Sequence, residues 1–357
     1  MGSKIKILTN TGRKIKPIIF WYGFPSCGLL IKKVVDRFKE DLIIVTTNPA
    51  LPIKEVERLL CHKIILLDNP NDILERKSEF SDRNFIIHTG WVYKGWLKYD
   101  QCMKKKNNAK VIVAVDNRYR GDLRQYFGAL YFRLYLKKFF DAALVPGKQG
   151  QKLMRFLGMK RSKIYTGLYG AYEEIFKEKI PVQNRNNEFL FIGQLIKRKG
   201  IDILISAFKS YKKSGGTWKL RIVGNGPLVN ICIGDNIILE KFTKADEIAE
   251  KMNHAKVLVL PSRDDNWGTV VCEAAACGMH LITSKMVGAN EDIIQSKNGI
   301  ILDNLSPIDL KKAFLYYQNL SENKLIIGST ISKEAANNYN SEGYYESFMA
   351  IIDNLFK

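Results

Sequence analysis

Residues 256–294 constrain this chain more than any other stretch, reading KVLVLPSRDDNWGTVVCEAAACGMHLITSKMVGANEDII. Val257–Leu260 is apolar at every position, as expected of a strand buried on both faces. It ends at Pro261 and Ser262, and an acidic loop with Asp264 and Asp265 follows. A helix is predicted from about Gly268. It carries Glu273 and stops at Gly278, and Leu281–Thr283 reads as a second buried strand. Strand, loop, helix and strand in that order form a parallel crossover, with the loop at the carboxyl end of the first strand. Open α/β sheets bind ligands at that edge. The helix start offers free N–H groups and a positive dipole end, which suit an anion such as a diphosphate. Gly268 has no side chain to block close approach. Asp265 in the loop and Glu273 in the helix can then border one pocket.

Two further strand ends repeat the arrangement. Phe189–Gly193 is an apolar strand leading into Gln194, then Lys197, Arg198, Lys199 and Gly200, with a helix from Ile201 to about Lys209. Three cations on one strand-to-helix turn can hold phosphates through charge and backbone N–H groups together. Lys219–Val223 runs into Gly224, Asn225, Gly226 and Pro227, a tight turn with exposed backbone groups. Ile237–Leu239 reads as another strand of the same sheet.

In these segments the chain resembles the donor domain of retaining glycosyltransferases of the GT-B fold, glycosyltransferase family 4 (group 1). That family's signature is an acid, seven residues, then Glu, followed by Ala and a small-residue–Gly step. Here it reads Asp265, Asn266, Trp267, Gly268, Thr269, Val270, Val271, Cys272, Glu273, Ala274, then Ala276, Cys277, Gly278. The usual first acid is Glu, and Asp265 is one methylene shorter. Family members show Gly-Arg at the strand end and Lys-Gly at the helix start. Lys199-Gly200 matches, and Gln194 replaces the arginine, leaving Arg198 to supply a guanidinium.

The resemblance implies a fold of two Rossmann-like parallel-sheet domains facing a cleft. It implies net retention and no essential metal, so no cofactor beyond a nucleotide-sugar donor as substrate. No Asp-x-Asp occurs in the chain. Lys199 and Arg198 would neutralise the leaving diphosphate. Asp265 would orient sugar hydroxyls, and Glu273 would bind the ribose. Gly193, Gln194, Asn225, Trp267, Gly268, Thr269 and Val270 would line the donor. The donor phosphate itself would serve as base.

Length agrees with two domains, since 357 residues exceed one ordinary domain. The expected division is 1–171 for an acceptor domain, 172–187 for a polar linker and 188–340 for the donor domain. A last helix over about 341–356 would pack back on the first. In the first half, Ile18–Phe20, Leu42–Val45, Lys63–Leu67, Asn84–Ile87 and Val111–Val115 read as short apolar strands. Asp141–Pro146 reads as the last of them. Loop ends give the cleft candidates Gly23, His88, Asp116 and Asn117. In many family members a histidine contacts the sugar where Asp116 and Asn117 stand. The six cysteines show no metal spacing and suggest buried thiols in a reducing cytosol.

Charge divides unevenly. Residues 1–180 hold 35 Lys and Arg against 17 Asp and Glu, a net +18, while residues 181–357 carry only +2. The first half should therefore meet something anionic: a membrane leaflet or a lipid-linked phosphate. Nucleic acid is disfavoured, because no zinc-finger spacing, aromatic sheet signature or continuous basic helix occurs. Residues 124–140 (RQYFGALYFRLYLKKFF) read as an aromatic, basic helix. Core packing accounts for most of its apolar residues, but they exceed what one face can bury, and interfacial membrane contact is the alternative. No apolar run reaches the roughly 18–20 residues of a membrane span, and the first residues lack a secretion-signal pattern. The expectation is a cytoplasmic enzyme, peripheral on the inner membrane face, acting on a lipid-linked or oligosaccharide acceptor in surface polysaccharide or lipopolysaccharide synthesis. The alternatives are another GT-B sugar-nucleotide enzyme, such as an epimerase, and a non-catalytic binder of anionic membranes.

Overall fold

The computed structural model describes residues 12, 14–21, 26–48 and 52–357. The chain divides into two compact units, Met1–Tyr169 with Ser341–Lys357, and Gly170–Asn340. Each is a parallel sheet wrapped by helices.

Unit 1 holds β1 (Pro17–Phe20), β2 (Ile43–Thr46), β3 (Ile64–Leu66), β4 (Phe85–Thr89), β5 (Lys110–Ala114), β6 (Ala142–Leu144) and β7 (Ile164–Tyr165). They lie in the order β3-β2-β1-β4-β5-β6-β7, all parallel. Their residues alternate between two cores, as the pleat requires. Ile18, Phe20, Ile86, Val111 and Val113 enter one; Ile19, Phe85, Ile87 and Ile112 enter the other. The helix Ser341–Leu355 closes this second core with Tyr344, Phe348, Ile351 and Ile352. The Phe348 ring meets Phe85 at 5.2 Å and Phe38 at 5.7 Å.

Two expectations for this unit need correction. Strand β6 is not the last, because Ile164–Tyr165 pairs beyond it; two residues at a sheet edge are too few to leave a pattern. The segment expected as one helix over 124–140 is an α-helix over Leu123–Tyr131. It loosens into a π-helical turn over Phe132–Leu136 and tightens into a 3₁₀ turn over Lys137–Phe139.

Unit 2 holds β8 (Asn186–Ile192), β9 (Lys219–Val223), β10 (Ile237–Glu240), β11 (Ala255–Leu260), β12 (His280–Ser284) and β13 (Gly299–Leu302). Their order is β10-β9-β8-β11-β12-β13, again all parallel. Every residue of β11 and β12 is buried, the polar Lys256, His280, Thr283 and Ser284 included, as strands covered on both faces are.

Residues 172–187 lie within unit 2 and pack into it, with Tyr172, Phe176 and Val182 buried. Arg185 anchors them, its side chain 0% exposed. Its Nε donates to the Ile180 carbonyl at 2.8 Å and Nη2 to Cys277 at 2.6 Å, while Nη1 reaches Met252 and Ala255 at 3.4 Å. Burial lowers its pKa, yet an arginine stays charged. Arg185→Ala would strand these buried carbonyls without donors. We expect unit 2 to lose about 3–5 kcal/mol, read as a lower urea midpoint.

Candidate functional site

Strands β8 and β11 are neighbours in the sheet, but their connections leave toward opposite edges: β8 leads on to β9, and β11 to β12. The loops after them part at this switch point and leave a crevice at the carboxyl edge, where such sheets bind ligands. Both motifs read from the sequence end there. Lys199 follows β8, Asp265 follows β11, and Lys199 Nζ lies 2.5 Å from Asp265 Oδ2. Their side chains are only 16% and 10% exposed, so water screens the pair weakly. Ser262, which the sequence reading did not single out, donates its hydroxyl to the same Oδ2 at 3.3 Å.

The two loops are laced together around this pair. Arg263 N donates to the Arg198 carbonyl at 2.7 Å, and Arg198 Nη1 to the Asp264 carbonyl at 2.9 Å. Arg263 grips Asp202 with both guanidinium ends, at 2.7 and 2.8 Å. That hydrogen bonding holds the Asp202 carboxyl below the usual aspartate range. Gly200 permits the approach: a Cβ there would sit 1.9 Å from the Pro261 carbonyl oxygen, and its φ is +73°. The neighbouring loops repeat the device, since a Cβ on Gly224 would lie 1.9 Å from the Gly193 carbonyl oxygen.

The helix Thr269–Ala276 opens at Gly268, whose φ of +86° turns the chain from loop into helix. No side chain caps this start, so the first-turn N–H groups of Thr269 and Val270 point out of the helix end. The loop itself is fixed to the one after β12. Asp265 N donates to the Met286 carbonyl at 3.1 Å, and Gly288 N to the Asp265 carbonyl at 3.2 Å. Glu273 sits just over one turn inside the helix and is 7% exposed. Gln194 and Asn225 are exposed on adjoining loops, tied by Leu195 N donating to the Asn225 carbonyl at 2.9 Å.

Trp267 departs from expectation. Its ring is 2% exposed and packs on Tyr339 at 5.4 Å, so it supports the loop from behind. Only its backbone reaches the turn, where its carbonyl accepts from Ala289 N at 3.0 Å.

Unit 1 has its own cavity of about 530 Å³ at the carboxyl edge of its sheet. Trp21, Trp91, Tyr93 and Tyr169 give it aromatic walls, while Asp116, Asn117 and Arg124 give it polar ones. Burial pushes the Asp116 carboxyl above the usual aspartate range, partly offset by the Tyr169 hydroxyl at 3.4 Å. Asp116 and Asn117 thus line the cavity. His88 does not. It is 1% exposed inside β4, and its Nε2 lies 2.9 Å from Asp100 Oδ2, a partner across the strand–helix interface. Gly23 lies outside the described residues. Trp21 follows β1 directly and Trp91 follows β4 after Gly90, positions that sequence could signal; nothing in the sequence marks Arg124 or Tyr169 as cavity residues.

Residues 173–329 match the family model described as glycosyl transferases group 1. An uncharacterized glycosyltransferase of Methanocaldococcus jannaschii, MJ1178, is 30% identical over 164 residues, 44% of this chain and 45% of its own. The chain thus spans under half the length of that relative. The capsular polysaccharide biosynthesis glycosyltransferase CapM of Staphylococcus aureus is 23% identical, over 64% of this chain and 67% of its own. A glycosyltransferase crystal structure from Rickettsia africae superposes with a TM-score of 0.77 at 14% identity, covering 96% of this chain and 99% of the other. Anabaena Alr3699/HepE, in complex with UDP and glucose, gives 0.74 at 11%, covering 95% and 99%. At such identities the likeness is one of fold. The chain has the GT-B fold, two doubly wound α/β units, and the match to the group 1 glycosyl transferase model falls in its second unit.

Proposed function

We propose that the chain is a retaining, metal-independent glycosyltransferase. Unit 2 binds a nucleotide sugar, and unit 1 binds an acceptor hydroxyl on a lipid-linked glycan of surface polysaccharide or lipopolysaccharide synthesis. The observation that carries this reading is the Lys199–Asp265 pair, held at the sheet's switch point within the loop that opens onto the Gly268 helix start. A cation, a carboxylate and free N–H groups suit the two ends of a nucleotide sugar, diphosphate and hydroxyls. The group 1 match over this unit supports it. The HepE complex with UDP and glucose supports a nucleotide sugar as donor, and CapM supports capsule-type products.

In this reaction the sugar's anomeric carbon–oxygen bond breaks and negative charge grows on the departing diphosphate. Lys199 and the N–H groups of Thr269 and Val270 oppose that charge from preset positions. Such preorganised electrostatics is usually the largest catalytic contribution. Arg198 adds a second cation at the same turn. The acceptor oxygen bonds to the same face of the sugar, and its proton passes to the leaving phosphate. Asp265 then has two tasks: it orients Lys199 and it orients sugar hydroxyls. Glu273 accepts from the ribose hydroxyls.

Lys199→Ala should slow transfer about 100- to 1,000-fold, the cost of one lost preorganised charge partner. Near wild-type turnover in Lys199→Ala, with Arg198→Ala also silent, would overturn this role. Calorimetry with UDP and GDP, free and sugar-linked, separates the carboxylates. Glu273→Gln should weaken both ligand types, because a charged acceptor becomes a neutral one. Asp265→Asn should spare the free nucleotide and weaken the nucleotide sugar; identical patterns in both variants would reject the assignment.

Asp116→Asn tests the acceptor side. Acceptor-dependent transfer should fall about ten- to hundredfold, the cost of a charged hydrogen-bond partner. Slow hydrolysis of the donor without acceptor should stay at the wild-type rate. Loss of hydrolysis as well would move Asp116 out of the acceptor role.

A further inference from the structure

The helix Leu123–Tyr131 and its π-helical continuation to Leu136 are mounted in an unusual sense. Ala129, Phe132 and Leu136 face the protein and are at most 4% exposed. The opposite stripe, Tyr126, Phe127, Leu130, Tyr131, Leu134 and Tyr135, recurs at three- and four-residue spacing and is 55–71% exposed. Leu123 heads it at 77%. A surface helix normally turns its apolar stripe to the core and its polar face to water. Here apolar side chains line both, and a contiguous exposed apolar strip of this kind marks a contact surface.

The surrounding charge is one-sided. No acidic residue stands between Asp122 and Asp141, and Arg124, Arg133, Lys137 and Lys138 are all exposed. Counted over the unit's own residues, 34 Lys and Arg stand against 17 Asp and Glu, a net +17 that extends that sign across the unit. Three of the exposed rings are tyrosines, whose apolar body and polar tip suit a boundary between hydrocarbon and water. We propose that this helix seats the protein on an anionic lipid surface. It lies in the interface plane, with the stripe at the acyl boundary and the cations among the headgroups.

A second copy of the chain fits this surface less well. A two-fold contact would set the same patch against itself and bring both sets of cations together. A bilayer supplies the opposite charge. The seat also explains the placement of the cavity. Arg124, in the helix's first turn, lines it, and the Trp91 ring in its wall packs on Phe132 at 5.1 Å. A membrane-anchored acceptor would enter from the surface on which this helix rests. That last step rests on the transferase reading; the seat itself does not.

Flotation with vesicles of phosphatidylcholine, with or without phosphatidylglycerol, decides the matter using the full chain. Wild type should float with the phosphatidylglycerol vesicles at low salt and release at high salt, because exposed charges are screened over roughly 8–10 Å. Phe127→Ser with Leu130→Ser should lower partitioning at least about tenfold, the loss of two buried apolar side chains. Both residues are exposed, so the fold should persist, with vesicle-free donor hydrolysis unchanged. Lys137→Gln with Lys138→Gln should weaken binding to the anionic vesicles alone. The proposal is overturned if wild type stays unbound at low salt or if the serine variant floats as wild type does. It is also overturned if sedimentation shows a wild-type dimer that the serine variant dissolves. Absence of donor hydrolysis in every form would remove the transferase reading and leave flotation to judge the seat.

Discussion

The constraint on which the second unit depends is that β8 and β11 touch while their crossovers diverge. Two loops far apart in sequence are thereby forced to share one crevice. Sharing it at this distance is a steric problem before it is a chemical one. Backbone meets backbone at Gly200 and Pro261, and again at Gly193 and Gly224, at separations no side-chain-bearing residue would tolerate. Once packed that closely, the loops bring a lysine and a carboxylate into contact across 66 positions of sequence. The crevice therefore holds a compensated charge.

Much of this was legible in the sequence, and the reason is local. β8 and β11 carry the continuous apolar runs Phe189–Ile192 and Val257–Leu260, β9 and β12 set apolar residues among polar ones, and each is closed by glycine, proline or charge. Those features are set by neighbouring residues, so they survive in a linear reading. The carboxyl edge follows from the order strand, loop, helix, and it placed Lys199, Asp265 and Gly268 together at that edge. What the sequence hid was non-local. The Lys199–Asp265 contact depends on strand order, and Ser262 becomes a partner only once that contact exists. Trp267 and His88 follow the same rule in the opposite direction. Each stands where a ligand contact was expected, and the side chain of each is buried against a remote partner, Tyr339 or Asp100. The helix at 123–136 shows a further limit. Spacing of three and four reveals that a helix has an apolar stripe, but not whether the stripe faces inward.

Unit 1 is built from two stretches of chain with the whole of unit 2 between them. One of its two cores is completed by Tyr344, Phe348, Ile351 and Ile352. This connectivity sets an order of assembly. During synthesis, chains fold domain by domain as segments emerge. Unit 2 is contiguous and has every strand available by residue 302. Unit 1 begins first but must wait, one of its cores only partly covered by residues 30–38 and Leu60, until the helix at 341–355 has been made. The half that carries the excess positive charge is thus the last to close. Its apolar sheet face is the surface a nascent chain must keep from wrong partners, and the last helix, made some 200 residues after β6, is the step that commits the molecule to its native form.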